Sequence, residues 1–404
     1  MVASKIGRFG HDYLQLGLRM DKHQKGYADY YYGLSEIKEK VNQEAKIPPK
    51  QLLEDCSSLQ KLVYDQGFDA KREIYLKKML DSMEIYIRTE FLNENVPIEE
   101  ELRIQCDMDI QPFNEYELND LKDQFEEVYQ GRGTLEERMK DLRLKRELPS
   151  KKAYKAFKKG IKIVAKRTKK VFPNMLPKGE RIKLNRLRAT EEIYWISYDW
   201  YKGNYQSIVD VRTEYGMYWT GVLRVAAHEC YPGHHTQFAV AEDKLYNDQN
   251  HFERAILLYC NPYMIICEGI ANLSLNSLFS AREQEEIALN KFCPNPKRGP
   301  SVDLLEKQNC ARKKLPIIDF NAAYHYLVDG WDAITVKKYI KSFEIWDPKS
   351  LDEKIKFICS PILKMTLFAY QIGKQLIIDK FGEFPSPKDF RYLLENPVLP
   401  SDLM

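Results

Sequence analysis

Apolar residues recur at helical spacing through most of this 404-residue chain, and this pattern constrains the fold more than any other feature. From about residue 26 to 147 the apolar positions are separated by three or four residues, with charged residues between them, as in Leu76, Met79, Leu80 and Met83. Such spacing places the apolar side chains on one face of a helix. It predicts a mainly α fold, with residues 1–190 forming an N-terminal helical scaffold.

One segment breaks this period. Residues 192–201 and 205–213 are rich in aromatic and β-branched residues and flank Lys202-Gly203-Asn204, which is typical of a hairpin turn. We therefore predict a small β-hairpin over residues 192–213, after which the helical period returns. Residues 191–404 would form the second, catalytic region, and a single intertwined domain is the alternative.

Bulk composition excludes some classes of function. The formal net charge is +3, from 62 basic and 59 acidic residues, so nothing global indicates nucleic acid or an acidic membrane as partner. No apolar run is long enough to span a membrane, and Lys5, Arg8 and Asp12 interrupt the N-terminus where a signal peptide would be apolar. With eight scattered cysteines that suit a reducing compartment, we expect a cytoplasmic protein.

Residues 140–188 are locally basic, with 19 Lys and Arg against three acidic residues. An apolar stripe that includes Phe157 and Val164 runs through this stretch, so it reads as the solvated side of a docked helix. The alternative is a patch for an anionic partner or for the carboxylates of peptides.

Three of the seven histidines, His228, His234 and His235, fall within eight residues and beside Glu229. In a His-Glu-x-x-His zinc helix two imidazoles one turn apart hold one ion, and the glutamate activates its water. Here Pro232 stands where the second histidine would be. On an unbroken helix His228 and His235 would lie about 10 Å apart along the axis, too far to share an ion.

The helix must therefore deform at Pro232 and Gly233, because proline lacks a backbone donor and glycine accepts unusual backbone paths. If these two residues form a bulge, His234 takes the place of the second ligand. We favour His228 with His234 as metal ligands, and His235 is the second choice.

A catalytic zinc site needs a third protein ligand and an open position for water. Glu268 is a lone carboxylate in an otherwise apolar helical run, and such a group needs a partner. A metal ion would be that partner, and a buried ion pair with an arginine is the alternative. Cys230 reads as a packed thiol, with the role of an additional soft ligand as the alternative.

The motif is similar to that of domain-of-unknown-function family 885, a group of predicted zinc metallohydrolases related to the gluzincin peptidases and distantly like the carboxypeptidase Taq family. The similarity rests on these residues, in order: His228-Glu229-x-x-Pro232-Gly233-His234-His235-x-Gln237, then Glu268-Gly269-x-Ala271, then Ala369-Tyr370-x-x-Gly373, with His325 in a histidine-containing segment. The resemblance implies a helix-rich gluzincin-like fold with an internal cleft. It also implies zinc bound by His228, by His234 or His235 or both, and by Glu268.

These residues lead to a hypothesis for the chemistry. Glu229 would act as general base for a water activated by zinc, and Tyr370 or His325 would donate a hydrogen bond to the developing oxyanion. An exposed strand at residues 205–213 could pair with an extended peptide substrate, whose carboxylate Arg212 or Arg224 would hold.

We therefore expect a zinc metallopeptidase acting on short peptides. The same ligands would serve a zinc hydrolase of a non-peptide amide or ester. A helical binding protein with a structural metal, using residues 151–170 to meet nucleic acid, is the third reading.

Overall fold

The computed structural model describes residues 6–187, 196–214, 216–360 and 364–404. The helices before the predicted hairpin are α1 (Arg8–His23), α2 (Ser35–Gln43), α3 (Pro49–Leu62), α4 (Ala70–Tyr86), α5 (Ile98–Cys106), α6 (Leu121–Val128), α7 (Leu135–Arg146) and α8 (Ser150–Val171). Those after it are α9 (Val222–Glu229), α10 (His234–Ala241), α11 (Pro262–Leu273), α12 (Ala281–Phe292), α13 (Val302–Arg312), α14 (Leu315–Leu327), α15 (Ala333–Lys341), α16 (Pro348–Ile358), α17 (Lys364–Phe381) and α18 (Pro387–Glu395). The prediction of a mainly α fold is confirmed.

The helices form where the sequence carries both an apolar stripe and capping residues. In α4 the predicted stripe of Leu76, Met79, Leu80 and Met83 is buried, with at most 3% of each residue exposed. The Asp69 side chain accepts a hydrogen bond from the backbone N–H of Arg72 and so caps the start of this helix. Burial of the stripe stabilises the helix against the core more than the cap does.

The strands are β1 (Ala28–Tyr31), β2 (Arg181–Leu187), β3 (Ser197–Tyr201), β4 (Gln206–Arg212) and β5 (Ile256–Leu258). β3 and β4 pair antiparallel, with Ser197 opposite Val211, so the hairpin is confirmed over these residues. Gly203 has a φ of 75°, as a tight turn requires. Residues 192–195 of the predicted hairpin lie outside the described residues.

The sheet around the hairpin differs from the prediction, because β2 joins it. β2 pairs parallel with β4, so the order of the strands is β2-β4-β3 and β4 is central. Both edges of β4 are occupied by neighbouring strands, so the prediction that residues 205–213 pair with a peptide as an exposed strand is wrong. β1 and β5, which the sequence analysis also missed, form a separate antiparallel pair.

Two close helix contacts position the elements of the histidine motif. α8 packs on α9 through Gly160, where an added Cβ would lie 3.1 Å from a methyl group of Val222. α11 packs on α17 where Gly269 meets Gly373, and a Cβ on Gly269 would lie 2.4 Å from the Gly373 carbonyl carbon. Small residues thus allow these helices to approach more closely than side chains would permit.

The buried face of α8 includes Phe157 and Val164, while its lysines face outward, which confirms the docked-helix interpretation for residues 150–171 of the basic stretch. Residues 181–187 of the same stretch form β2, so the interpretation is wrong for them. No helix among the described residues is long and apolar enough to cross a membrane. The predicted boundary between residues 190 and 191 lies outside the described residues, and the two-domain division stays a prediction.

Candidate metal centre

The histidine motif lies across a break between two short helices. α9 ends at Glu229 and α10 begins at His234, with Cys230–Gly233 between them. Across the break the backbone N–H of Gly233 donates to the Ala227 carbonyl at 2.9 Å, and that of Thr236 donates to the Cys230 carbonyl at 3.2 Å. Each bond spans six residues instead of the four of an α-helix, so two residues are looped out. The predicted deformation is confirmed, as a full break and not a bulge within one helix.

Glycine is required at position 233. A Cβ there would lie 1.9 Å from the carbonyl oxygen of His228 and 2.4 Å from that of Ala227. No side chain fits so close to two backbone oxygens. The break at Gly233 then sets the rotation of His234 relative to His228.

His228, His234 and Glu268 converge from α9, α10 and α11. Their ligand atoms lie within 4.8 Å of one another, and no other such group was found among the described residues. Nε2 of His228 is 3.6 Å from Oε2 of Glu268, and Nε2 of His234 is 3.7 Å from Oε1 of the same carboxylate. The imidazole planes are nearly perpendicular, with ring centroids 4.8 Å apart. These side chains are therefore held together although none is hydrogen-bonded to another.

The spacing and chemistry of this cluster fit a zinc ion. Two ligand atoms that are each about 2.1 Å from a zinc ion at the tetrahedral angle are about 3.4 Å apart, close to the separations seen here. Oε2 of Glu268 and Nδ1 of His234 are buried and have no hydrogen-bond partner among the described residues. Within the same residues the basic side chains within 4.0 Å of the Glu268 carboxylate are these two histidines, so the alternative of an ion pair with an arginine is not seen.

Burial dominates the electrostatics of the three side chains. It lowers the pKa of His234 to about 4 and that of His228 well below its ordinary value. Burial, followed by the charge of Asp29, raises the pKa of Glu268 to about 8. The imidazoles are thus neutral at physiological pH, and burial without a compensating cation favours the protonated form of the Glu268 carboxyl group.

Asn272 and Tyr370 lie beside His228. The Ala271 backbone and the Asn272 side chain lie beside the His228 ring and oppose the lowering of its pKa by burial. The Asn272 side chain also donates to the Tyr370 carbonyl at 3.2 Å. The Tyr370 ring centroid is 6.3 Å from that of His228, and Tyr370 is 37% exposed. The structure therefore places Tyr370 beside the cluster.

Glu229 is buried at the end of α9, directly after His228. Burial, followed by the charge of Glu268, raises the pKa of Glu229 to about 8, and the nearby backbone of Asp199 in β3 opposes this rise. The backbone of β3 thus lies near the catalytic candidate. Sequence reasoning missed this proximity, since a backbone group leaves no mark on residue type.

His235 lies apart from the cluster. Its ring is fully buried, with Nδ1 at 2.8 Å from Oγ of Ser207 and Nε2 at 3.3 Å from Oε2 of Glu180. Hydrogen bonds from His235, Tyr231 and Lys169 lower the pKa of Glu180 against the opposing effect of burial. Both ring nitrogens are engaged, so the geometry assigns His235 to the contact between α10 and the sheet, and the second choice of ligand finds no support.

His325 also lies outside the cluster. Its Nδ1 is 2.5 Å from Oδ2 of Asp329, its Nε2 is 3.7 Å from Oε1 of Glu115, and its ring stacks on Trp331 with centroids 4.2 Å apart. None of these partners belongs to the cluster of His228, His234 and Glu268. Of the two candidate oxyanion donors, Tyr370 and His325, only Tyr370 lies beside that cluster.

Cys230 is buried and is not a member of the cluster of His228, His234 and Glu268, as expected for a packed thiol.

Arg212 is buried in β4, while Arg224 is exposed on α9. A surface pocket of about 430 Å³, lined by residues such as Arg103 and Met404, contains no residue of the cluster. The internal cleft stays a prediction.

Comparisons with known proteins bear on the fold alone. No protein-family profile matches the sequence, and no curated protein matches it. A solved structure described as "the putative lipoprotein from Colwellia psychrerythraea" is similar over 91% of this chain and 68% of that one, with a TM-score of 0.51 and 14% identity. A second, "a putative lipoprotein of unknown function from Shewanella oneidensis", is similar over 86% of this chain and 73% of that one, with a TM-score of 0.46 and 11% identity. The first shows a shared mainly helical fold.

Proposed function

We propose that this protein is a zinc-dependent metallohydrolase that cleaves short peptides. The observation that carries the proposal is the convergence of His228, His234 and Glu268 on one point with Glu229 beside them. Two neutral imidazoles and one carboxylate form the donor set of catalytic zinc sites that keep a position open for water.

His228, His234 and Glu268 would hold the ion. When bound, zinc supplies Lewis acidity and makes water a nucleophile near neutral pH. Asn272 lies beside the ring of His228, and Gly233 fixes the backbone that carries His234. The protein thereby holds the donor set in place before substrate arrives.

Glu229 would accept the proton of the attacking water and return it to the leaving amine. Its position next to His228 in the chain keeps Glu229 near the candidate metal centre, and the Asp199 backbone lies near its carboxyl group. Tyr370 would donate its phenolic hydrogen to the developing oxyanion, because it lies beside His228 and is partly exposed.

The gluzincin-like fold and membership of family 885 belong to the same proposal. The mainly helical fold and the broken histidine helix, followed by a ligand glutamate on a later helix, support both. A hydrolase of another amide or ester would use the same residues, and the substrate screen below separates the two.

The test combines metal analysis with one conservative variant. We expect purified protein to bind about one zinc ion per chain and His228→Ala to lose it. Glu229→Gln should retain the metal and lose at least about a thousandfold in peptide turnover, as general acid–base loss predicts. Equal loss of metal and turnover in Glu229→Gln would indicate a structural ion. A peptide library read by mass spectrometry without any cleavage would exclude peptidase activity.

A further inference from the structure

Arg254 is a buried cation whose donors are unused. It lies in the short turn Phe252–Ala255 directly before β5, and only 2% of the residue is exposed. Its Nε, Nη1 and Nη2 atoms are buried, and among the residues that the structure describes none of these nitrogens has a hydrogen-bond partner. Because an arginine stays protonated in proteins, the core encloses a positive charge with a set of free N–H donors.

The carboxylate next to Arg254 in the chain is already paired with another arginine. Glu253 accepts from Nη2 of Arg72 at 2.8 Å and from Nε of Arg72 at 3.1 Å, in a two-pronged ion pair. Both members of this pair are buried. One buried carboxylate beside two buried arginines leaves a net positive charge. Burying a charge without a partner is costly, so an orphaned group of this kind indicates a bound ligand that completes it.

Two tyrosine rings cover part of the guanidinium group. The Arg254 Cζ atom is 4.4 Å from the ring centroid of Tyr75 on α4 and 4.3 Å from that of Tyr263 on α11. The two centroids are 6.3 Å apart, which is less than the sum of these distances, so the rings do not lie on opposite faces of the guanidinium. Burial raises the pKa of both phenols, which are therefore neutral and are not counter-ions.

Tyr263 adds a hydroxyl donor and connects this region to the candidate metal centre. Its Oη accepts a hydrogen bond from Nε2 of Gln237 at 3.3 Å, and its own hydrogen can be donated to a further acceptor. The same Nε2 atom is 3.2 Å from Sγ of Cys267. Gln237 lies on α10 with His234, and Cys267 precedes Glu268 on α11. An acceptor bound at Tyr263 would therefore stabilise the packing of the two helices.

We propose that Arg254 holds a buried monatomic anion of the chloride class, with the Tyr263 hydroxyl as a further donor. The ligand is an anion because a guanidinium group offers donors alone and the buried charge beside it is positive. It is small because Arg254 is closed off from solvent, so that a peptide or a phosphate ester could not reach it without opening the core. This site does not depend on the proposed hydrolase function.

The dependence of stability on chloride tests the site. Urea unfolding of the wild-type protein is measured while sodium gluconate is replaced by sodium chloride at constant ionic strength. A ligand that binds the folded state alone stabilises it by mass action, so the unfolding equilibrium constant should fall about tenfold for each tenfold rise in chloride above the dissociation constant. Arg254→Met should remove this dependence, and without chloride it should be at least as stable as the wild type, because the uncompensated charge is gone.

Arg132→Met is the matched control, because Arg132 is exposed in the turn between α6 and α7. This variant loses the same charge and should keep the full dependence on chloride. An unfolding constant that changes less than about twofold up to about 0.3 M chloride in the wild type would overturn the proposal, since an ordered water would then complete Arg254. A chloride dependence that persists in Arg254→Met would also overturn it.

Bromide gives a second measurement, which decides the question even if Arg254→Met does not fold. Crystals of the wild-type protein soaked in sodium bromide should show an anomalous-scattering peak beside the Arg254 guanidinium, at about the distance of a hydrogen bond to a large anion. Bromide peaks confined to the protein surface or to the candidate metal centre would contradict the proposal.

Discussion

A Cβ atom on Gly233 would lie 1.9 Å from the carbonyl oxygen of His228. This contact couples the metal-ligand candidates, because Gly233 is the residue before His234 and its backbone passes directly over the end of α9. The close approach lets an interrupted helix bring His228 and His234 to one point.

Gly233→Ala should therefore disrupt the centre itself. The added methyl must displace the backbone on one side of the break, which we expect to cost about 3 kcal/mol of unfolding free energy and to lower metal content severalfold. Denaturant unfolding and metal analysis measure the two effects. Gly7→Ala is the control, since nothing lies within 4 Å of a Cβ at that position. A Gly233→Ala protein with full metal content and wild-type stability would contradict this role of the glycine.

Alanine substitutions of His234 and His235 should have different effects on zinc binding and stability, although the two residues are adjacent in the chain. His234→Ala removes a member of the candidate metal centre and should abolish zinc binding. His235→Ala should keep the zinc but lose about 2–4 kcal/mol of stability, since it leaves Glu180 and Ser207 without their buried partner. Metal analysis and thermal unfolding of both variants check this. Loss of zinc in His235→Ala with wild-type stability would restore His235 as a ligand.

The contact between Gly269 and Gly373 should be sensitive to a single methyl group. A Cβ on Gly373 would lie 1.9 Å from the carbonyl oxygen of Ile265, so Gly373→Ala forces α11 and α17 apart. We expect a loss of about 3 kcal/mol in unfolding free energy. Gly221→Ala, where the nearest atom is 3.6 Å from the added Cβ, should change stability by less than about 1 kcal/mol. Similar stability of the two variants would show that α17 is not packed against α11 as described.

Because of Glu285, the free energy of unfolding should fall as pH rises. Burial raises the pKa of Glu285 in the folded chain to about 7, against attraction from Arg146. The folded state then binds the proton more tightly than the unfolded state does. The contribution of Glu285 to the free energy of unfolding is fully present below pH 4.5, the ordinary pKa of glutamate, and is lost as pH rises through about 7.

Glu285→Gln removes this dependence. Relative to wild type, the variant should gain about 2–3 kcal/mol of unfolding free energy between pH 4.5 and pH 8. Urea unfolding at several pH values measures the difference. A constant difference across this range would mean that the carboxyl group is not held in its protonated form by burial.

Local rules of the chain were enough to predict several elements. The helical spacing around Met79 predicted buried helix faces, and Lys202-Gly203-Asn204 predicted the hairpin turn. The alternation of apolar and polar residues in β2 is also typical of a strand. The strong basic charge of this stretch instead led to the prediction of a solvated helix face, so β2 was missed. Its parallel pairing with β4 could not be read from the sequence, because partners in a parallel pair are far apart along the chain.

For the candidate metal centre, the sequence by itself determined that the helix must break at Pro232 and Gly233, since backbone chemistry forbids a continuous helix there. It also identified Glu268 as a carboxylate in need of a cation. Only the tertiary structure decided that His234 and not His235 faces Glu268, because that choice depends on the rotation of α10 after the break and on the buried partner Glu180. Tertiary packing also decided that Tyr370 lies beside His228, whereas His325 lies against Trp331. Contacts between distant helices depend on how side-chain shapes fit together, which no local sequence pattern predicts.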